Sequence, residues 1–184
     1  MLPVRGRRVD CSGIRRKLLN IDIVVEMWSR MCVWLTLLRI SKLNATGRRP
    51  ETSGLIALDI DYPGADGLFN LRPVKPAGYT GATGDNTIDF VGFDAQILDG
   101  DTIQFYFVNA RPPVGAFNNI IDASKVGANF TIEIFEMRRG EDQMRHLRTI
   151  WSPAVWAPNR IAAVGGGAFF VTNDHSVTVG LVSH

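Results

Sequence analysis

Cysteine is scarce: the 184-residue chain holds two, Cys11 and Cys32, and none beyond. Two thiols so far apart lack both the short spacing and the further ligands of a structural zinc site. All three histidines (His146, His175, His184) lie remote from them in sequence, so no cysteine–histidine nucleophile pair is indicated. A Cys11–Cys32 disulfide would need an oxidising compartment, and two free thiols are the simpler reading. Long apolar runs are missing too. Asp22, Glu26, Arg30 and Arg39 interrupt the most hydrophobic stretch, residues 21–40. Its longest unbroken part, residues 31–38, is far short of the ~20 residues that cross a bilayer. No GxSxG sequence occurs, which leaves a serine-hydrolase elbow unsupported. Neither a lysine nor a helix-forming run follows Gly165-Gly166-Gly167, so a turn between strands is expected there rather than a phosphate loop. Asp59, Asp61 and Asp66 lack the spacing and closing glutamate of an EF-hand and read as turn residues.

Charge is present but unevenly placed. Residues 1–50 carry eleven Lys/Arg against three acidic groups, a net +8, while residues 51–184 carry nine against fifteen, a net −6. The first part is expected to be a basic extension and the second the folded body, a division at about residue 50. The extension reads as helical or disordered, with an amphipathic helix over residues 21–40 that gathers Val24, Met27/Trp28, Met31, Trp34/Leu35 and Leu38 on one broad face. Its basic residues lack interleaved aromatics and a recognisable binding module, so nucleic acid is not an expected partner. Residues 41–45 make a poor cleavage site for a secretory signal, and localisation stays open.

The body reads as strands. Apolar alternation or short β-branched runs occur at 55–60, 88–91, 102–108, 130–136, 146–150, 161–164, 168–172 and 177–182, with Gly- and Asp-bearing turns between them. In the run 130–136, Phe130, Ile132 and Ile134 face one way, Thr131 and Glu133 the other. Segments 130–138, 144–151, 161–164 and 168–173 are sequential and closely linked, as in a four-stranded propeller blade, and a β-sandwich fits the same periodicity. Trp151 and Trp156, either side of Pro153, are expected to pack beneath a loop.

Four pieces decide between these architectures: Phe130-Thr131-Ile132-Glu133-Ile134-Phe135, His146-Leu147-Arg148-Thr149-Ile150, Pro158-Asn159-Arg160-Ile161, and Thr172-Asn173-Asp174-His175. In order and spacing they resemble the serum paraoxonase/arylesterase family, with a weaker similarity back through Asn109 and Gly92 to about Leu55. The resemblance implies an all-β fold, a partial six-bladed β-propeller of about two to three blades. It also implies calcium as cofactor and a small ester or lactone as substrate, hydrolysed with the ion polarising the carbonyl. Asn159 matches the asparagine that gives the catalytic calcium a carbonyl oxygen, and Asp174 and His175 fall where a catalytic role is implied. Other positions depart from the pattern. The aspartate that serves the family's second calcium is here Arg160. The two histidines of its base dyad fall near Gln96 and at Ala110.

Six blades of ~40–50 residues need on the order of 250–300. Residues 51–184 therefore imply exposed sheet edges, through which copies of the chain would self-associate. Two functions stay open: a calcium-dependent arylesterase or lactonase, impaired by these departures, and a non-catalytic propeller remnant with a structural role or none.

Overall fold

The computed structural model describes residues 15–18, 21–26, 53–58, 65–68, 71–81, 83–122 and 126–174. Ten strands account for nearly all of the regular structure: β1 (Arg15–Leu18), β2 (Ile21–Glu26), β3 (Gly54–Leu58), β4 (Leu71–Ala77), β5 (Phe90–Ile97), β6 (Thr102–Arg111), β7 (Asn129–Arg138), β8 (Gln143–Ile150), β9 (Pro158–Gly165) and β10 (Ala168–Asn173). The fold class expected from the sequence is the one observed, all-β, with stacked sheets consistent with part of a propeller. Among the described residues no helix is long and apolar enough to cross a membrane.

The centre of the molecule is the antiparallel meander β5-β6-β7-β8. β6 and β7 pair along their whole length, from Thr102↔Arg138 to Arg111↔Asn129. Both faces of this meander are covered. On one, Phe93, Ile103, Phe105, Phe107, Phe135 and Met144 meet Leu55, Ala57 and Val74 of β3 and β4, with Tyr79 and Ile88 from the following connection. On the other, Val91, Tyr106, Val108, Ile132 and Ile134 meet Ile161, Ala163, Phe169 and Val171 of the β9–β10 hairpin. Phe105, Phe107 and Phe135 are wholly buried, worth about 1.5–3 kcal/mol each in area removed from water.

Three expectations need correction. The four segments after residue 130 do not form one blade: β7 and β8 join β5 and β6 in a blade-like meander within an eight-stranded sheet ordered β1-β2-β3-β4-β8-β7-β6-β5, and β9 and β10 form a separate two-stranded sheet. The backbone N–H of Ala163 donates to the Asp94 carboxylate at 2.9 Å, which ties β9 to the face of β5 rather than to the edge of β8. That edge is occupied instead by β4, in a short parallel pairing from Lys75↔Gln143 to Ala77↔Arg145. Secondly, residues 21–26 are a strand rather than the start of a helix, paired with β3 from Asp22↔Leu58 to Glu26↔Gly54. Ile21, Ile23, Val24 and Val25 are β-branched and lose rotamer freedom in a helix, and β3 supplies the hydrogen bonds that favour a strand. Residues 27–40 of the expected helix lie outside the described residues, as does the run 177–182. Thirdly, Trp151 is 64% exposed rather than packed beneath a loop.

β4 went unread because Pro73 and Pro76 lower its strand propensity. The turn expected at Gly165-Gly166-Gly167 is present, and all three residues have positive φ, at 93°, 61° and 80°. Side chains other than glycine rarely adopt that conformation, so the run specifies the tight β9–β10 turn.

Candidate functional site

Strand direction sorts the connections into two groups. At one end of the blade, short turns join β5 to β6 (98–101), β7 to β8 (139–142) and β9 to β10 (166–167). At the other, longer segments join β4 to β5 (78–89), β6 to β7 (112–128) and β8 to β9 (151–157). β9 begins and β10 finishes at this loop end, and two of the three residues that the resemblance singled out, Asn159 and Asp174, meet there. Asn159 Nδ2 donates to Asp174 Oδ2 at 2.7 Å.

Backbone and side-chain contacts hold this corner in place. Asp174 N–H donates to the carbonyl of Ala157 at 2.9 Å. Asn173 Oδ1 accepts from the N–H groups of Trp156 (3.1 Å) and Ala157 (3.2 Å), while its Nδ2 donates to the Ala154 carbonyl (2.9 Å). The middle residue of Thr172-Asn173-Asp174 is thus a clamp on the 151–157 connection. Gly92 lets the backbones approach: a Cβ there would lie 2.2 Å from the Asn159 carbonyl oxygen, which only glycine avoids. His175 lies outside the described residues. Arg160 is exposed, and strand alternation turns it to the opposite face from Asn159. The two positions given for the family's histidines do not meet. Ala110 is at the loop end, packed against the second core cluster. Gln96 is at the turn end, donating to the Tyr106 hydroxyl at 2.7 Å.

A second polar group, unread in the sequence, is buried at the same end on the other face of the blade. Glu133 is fully buried. Its Oε1 accepts from Thr131 Oγ1 (2.6 Å) and Asn109 Nδ2 (3.3 Å), and the Arg111 guanidinium stands 3.9 Å away. Its Oε2 meets His146 Nε2 (3.0 Å) and accepts from Thr149 Oγ1 (2.5 Å). Asn109 continues the network, donating to the Tyr79 hydroxyl at 2.9 Å and accepting from the Asp89 N–H at 2.8 Å. Tyr79 is edge-on to the His146 ring, 5.2 Å between centroids. Burial, reinforced by the negative charge of Glu133, pushes the Tyr79 hydroxyl up to about 12, against the opposing pull of Arg111 and the Asn109 hydrogen bond. Arg111 Nε is buried with no hydrogen-bond partner among the described residues.

The available signal was Glu133 itself, a carboxylate among Thr131, Ile132, Ile134 and Phe135. Alternation alone assigns Thr131 and Glu133 to a solvated face. Both faces of β7 are covered, so both residues are buried, at 2% and 0% exposure.

Calcium takes 6–8 oxygen ligands. Asn159 and Asp174 fit two positions of such a shell: the amide spends Nδ2 on the carboxylate, and Oδ1 is the atom a hard cation would take. Among the described residues no group of three or more His, Cys, Asp or Glu could hold a metal.

No protein-family model matches the chain. Curated relatives do. It is 30% identical to serum paraoxonase/arylesterase 1 of Rattus norvegicus over 126 residues, 66% of this chain and 32% of that protein. It is 29% identical to the Mus musculus protein of the same name over the same share. With serum paraoxonase/arylesterase 2 of Homo sapiens the identity is 28%, over 66% of this chain and 31% of that one. The chain spans about a third of the length of these relatives. The matches support a relationship to the serum paraoxonase/arylesterases.

Proposed function

We propose that the chain serves carboxylic ester hydrolysis of the arylesterase or lactonase kind, at the loop end of the β5–β8 blade. One observation carries the reading. Asn159 and Asp174, both singled out by resemblance, lie side by side at 2.7 Å. In this reading the Asp174 carboxylate, oriented by the Asn159 amide, accepts a hydrogen bond from the attacking water. Asn159 Oδ1 is this chain's oxygen for calcium, and calcium when bound would polarise the ester carbonyl as a Lewis acid. The Asn173 clamp and the Gly92 contact keep the pair in register with β5.

A non-catalytic, structural role is the second reading, and a specific observation favours it. His146, the one histidine among the described residues, is engaged with buried Glu133 on the far face of the blade from Asn159.

Turnover of phenyl acetate and δ-valerolactone, with calcium and with a chelator, tests the first reading against the second. Hydrolysis should stop with chelator and fall about 10²-fold or more in Asn159→Ala and in Asp174→Asn. No turnover, together with no calcium-dependent rise in Tm, would leave the structural role.

A further inference from the structure

Among the described residues two carboxylates are buried, Glu133 and Asp94, and their surroundings differ. Glu133 is met by side chains from β6, β7 and β8. Asp94, 6% exposed, is met by main chain: Oδ1 accepts from the Ala95 N–H and Oδ2 from the Ala163 N–H, each at 2.9 Å. The second of these bonds crosses from one sheet to the other. The register partners of Gly92 and Asp94 on β6 are Val108 and Tyr106, and both belong to the apolar cluster that β9 and β10 cover. A leucine would fill such a contact, and replacing a buried charge by an apolar side chain of similar volume often leaves stability unchanged or raised. Stability alone therefore gives no reason for a carboxylate at position 94.

Register does. β9 turns alternate residues toward the blade, and on that face it brings Asn159, Ile161, Ala163 and Gly165, of which Ile161 is the one large apolar side chain. Apolar contact is non-directional, so it does little to stop β9 from sliding by two residues, about 6.6 Å, with the same face inward. A hydrogen bond from one particular N–H fixes the position. Ala163 supplies that N–H on one side of Ile161. On the other side the Asn159 carbonyl oxygen lies against Gly92, in space that a Cβ would fill. Two contacts thus bracket Ile161, and one of them is at Asn159 itself.

We infer that Asp94 is a positioning residue. Its carboxylate selects the register of β9 on β5, and so places Asn159, with Asp174 across the hairpin, at the loop end. This goes beyond the hydrolase reading, because it concerns where the pair is held rather than what the pair does. In a catalytic pair, Asp94 acts through Asn159 without touching the ester.

The test is Asp94→Leu in the full chain, read by proton–nitrogen correlation spectra. The amides of residues 158–174 should broaden or double, as exchange between registers requires, while those of β6 and β7 keep their wild-type positions. Asp94→Asn has the same shape and one acceptor oxygen left for Ala163, and should restore a single set of signals. A single, wild-type set for residues 158–174 in Asp94→Leu overturns the inference. So does doubling that spreads through β6 and β7, since the carboxylate would then serve the fold in general. Should Asp94→Leu not fold, Asp94→Ala, which removes the acceptor without adding bulk, is read by the same spectra with the same outcomes. Phenyl acetate hydrolysis separates this inference from the hydrolase reading. In a wild type that hydrolyses the ester, Asp94→Leu should lower kcat about tenfold or more, with KM within about twofold. An unchanged kcat in a variant whose hairpin signals have doubled overturns the positioning role. No turnover by the wild type rejects only the hydrolase reading and leaves the register to the spectra.

Discussion

The two ends of the blade are built from the same four strands and differ in almost everything else. At the turn end, connections are as short as hairpin geometry allows, and positive φ is confined to glycine, at Gly140 (85°) and Gly165 to Gly167. At the loop end the connections are longer, and the two non-glycine residues with positive φ among the described residues, Asn86 (58°) and Phe117 (61°), occur there. The buried Glu133 network and the Asn159–Asp174 pair are also at that end. Since strands can be joined by two to four residues, length and strain beyond that are not required by the fold. One end of the molecule closes the sheet at minimum cost, and the other gathers the Glu133 network and the Asn159–Asp174 pair.

Substitutions can break this contrast. The largest effect is expected from Glu133→Ala. Asn109, Thr131, His146 and Thr149 would lose their common acceptor inside the blade, and removal of one partner from such a buried group costs about 3–5 kcal/mol. Urea unfolding should show a midpoint lowered accordingly, and a loss below about 1 kcal/mol would mean that water reaches the site.

High pH gives the next effect. Tyr79 releases its proton at about 12 in the fold, against 10.0 for the unperturbed group. The folded state holds this proton more tightly than the unfolded one, so the contribution is whole below pH 10 and is lost as pH rises through 12. It amounts to at most about 3 kcal/mol. The unfolding free energy of the wild type should therefore fall more steeply over that window than that of Tyr79→Phe. Parallel curves would show that the hydroxyl is not shielded.

The smallest effect belongs to the turn end. Gly140→Ala meets no atom within 4 Å but must hold φ at 85°, a strain of about 1–2 kcal/mol. Thermal unfolding should register it as a lowered Tm, while the loss of stability between pH 10 and 12 that Tyr79 produces stays as in the wild type. A changed pH dependence would mean that the two ends are coupled through the blade.

Much of the fold was legible residue by residue. The clean alternation of 130–136, the Gly- and Asp-bearing turn between that run and 146–150, and the three-glycine turn each carry their own local signal, and each appears where expected. β4 was hidden by its prolines, and the strand at 21–26 by an apolar composition that suits either a helix or a strand. Of the candidate site, Asn159 and Asp174 were nameable only through resemblance. The Glu133 network lacked even that, because partners on β6, β7 and β8 and in the 78–89 connection have no common spacing in the chain.

Period-two patterning and turn chemistry act between residues a few positions apart, so they were enough to establish an all-β chain and to place most of its strands. Which strands share a sheet, which face of β7 is dry and which side chains converge depend on contacts between distant segments. Those follow from β9 docking on the face of β5 while β4 takes the edge of β8. That stacking covers β7 from both sides, and it turns a glutamate that looked solvated into the buried centre of the loop end.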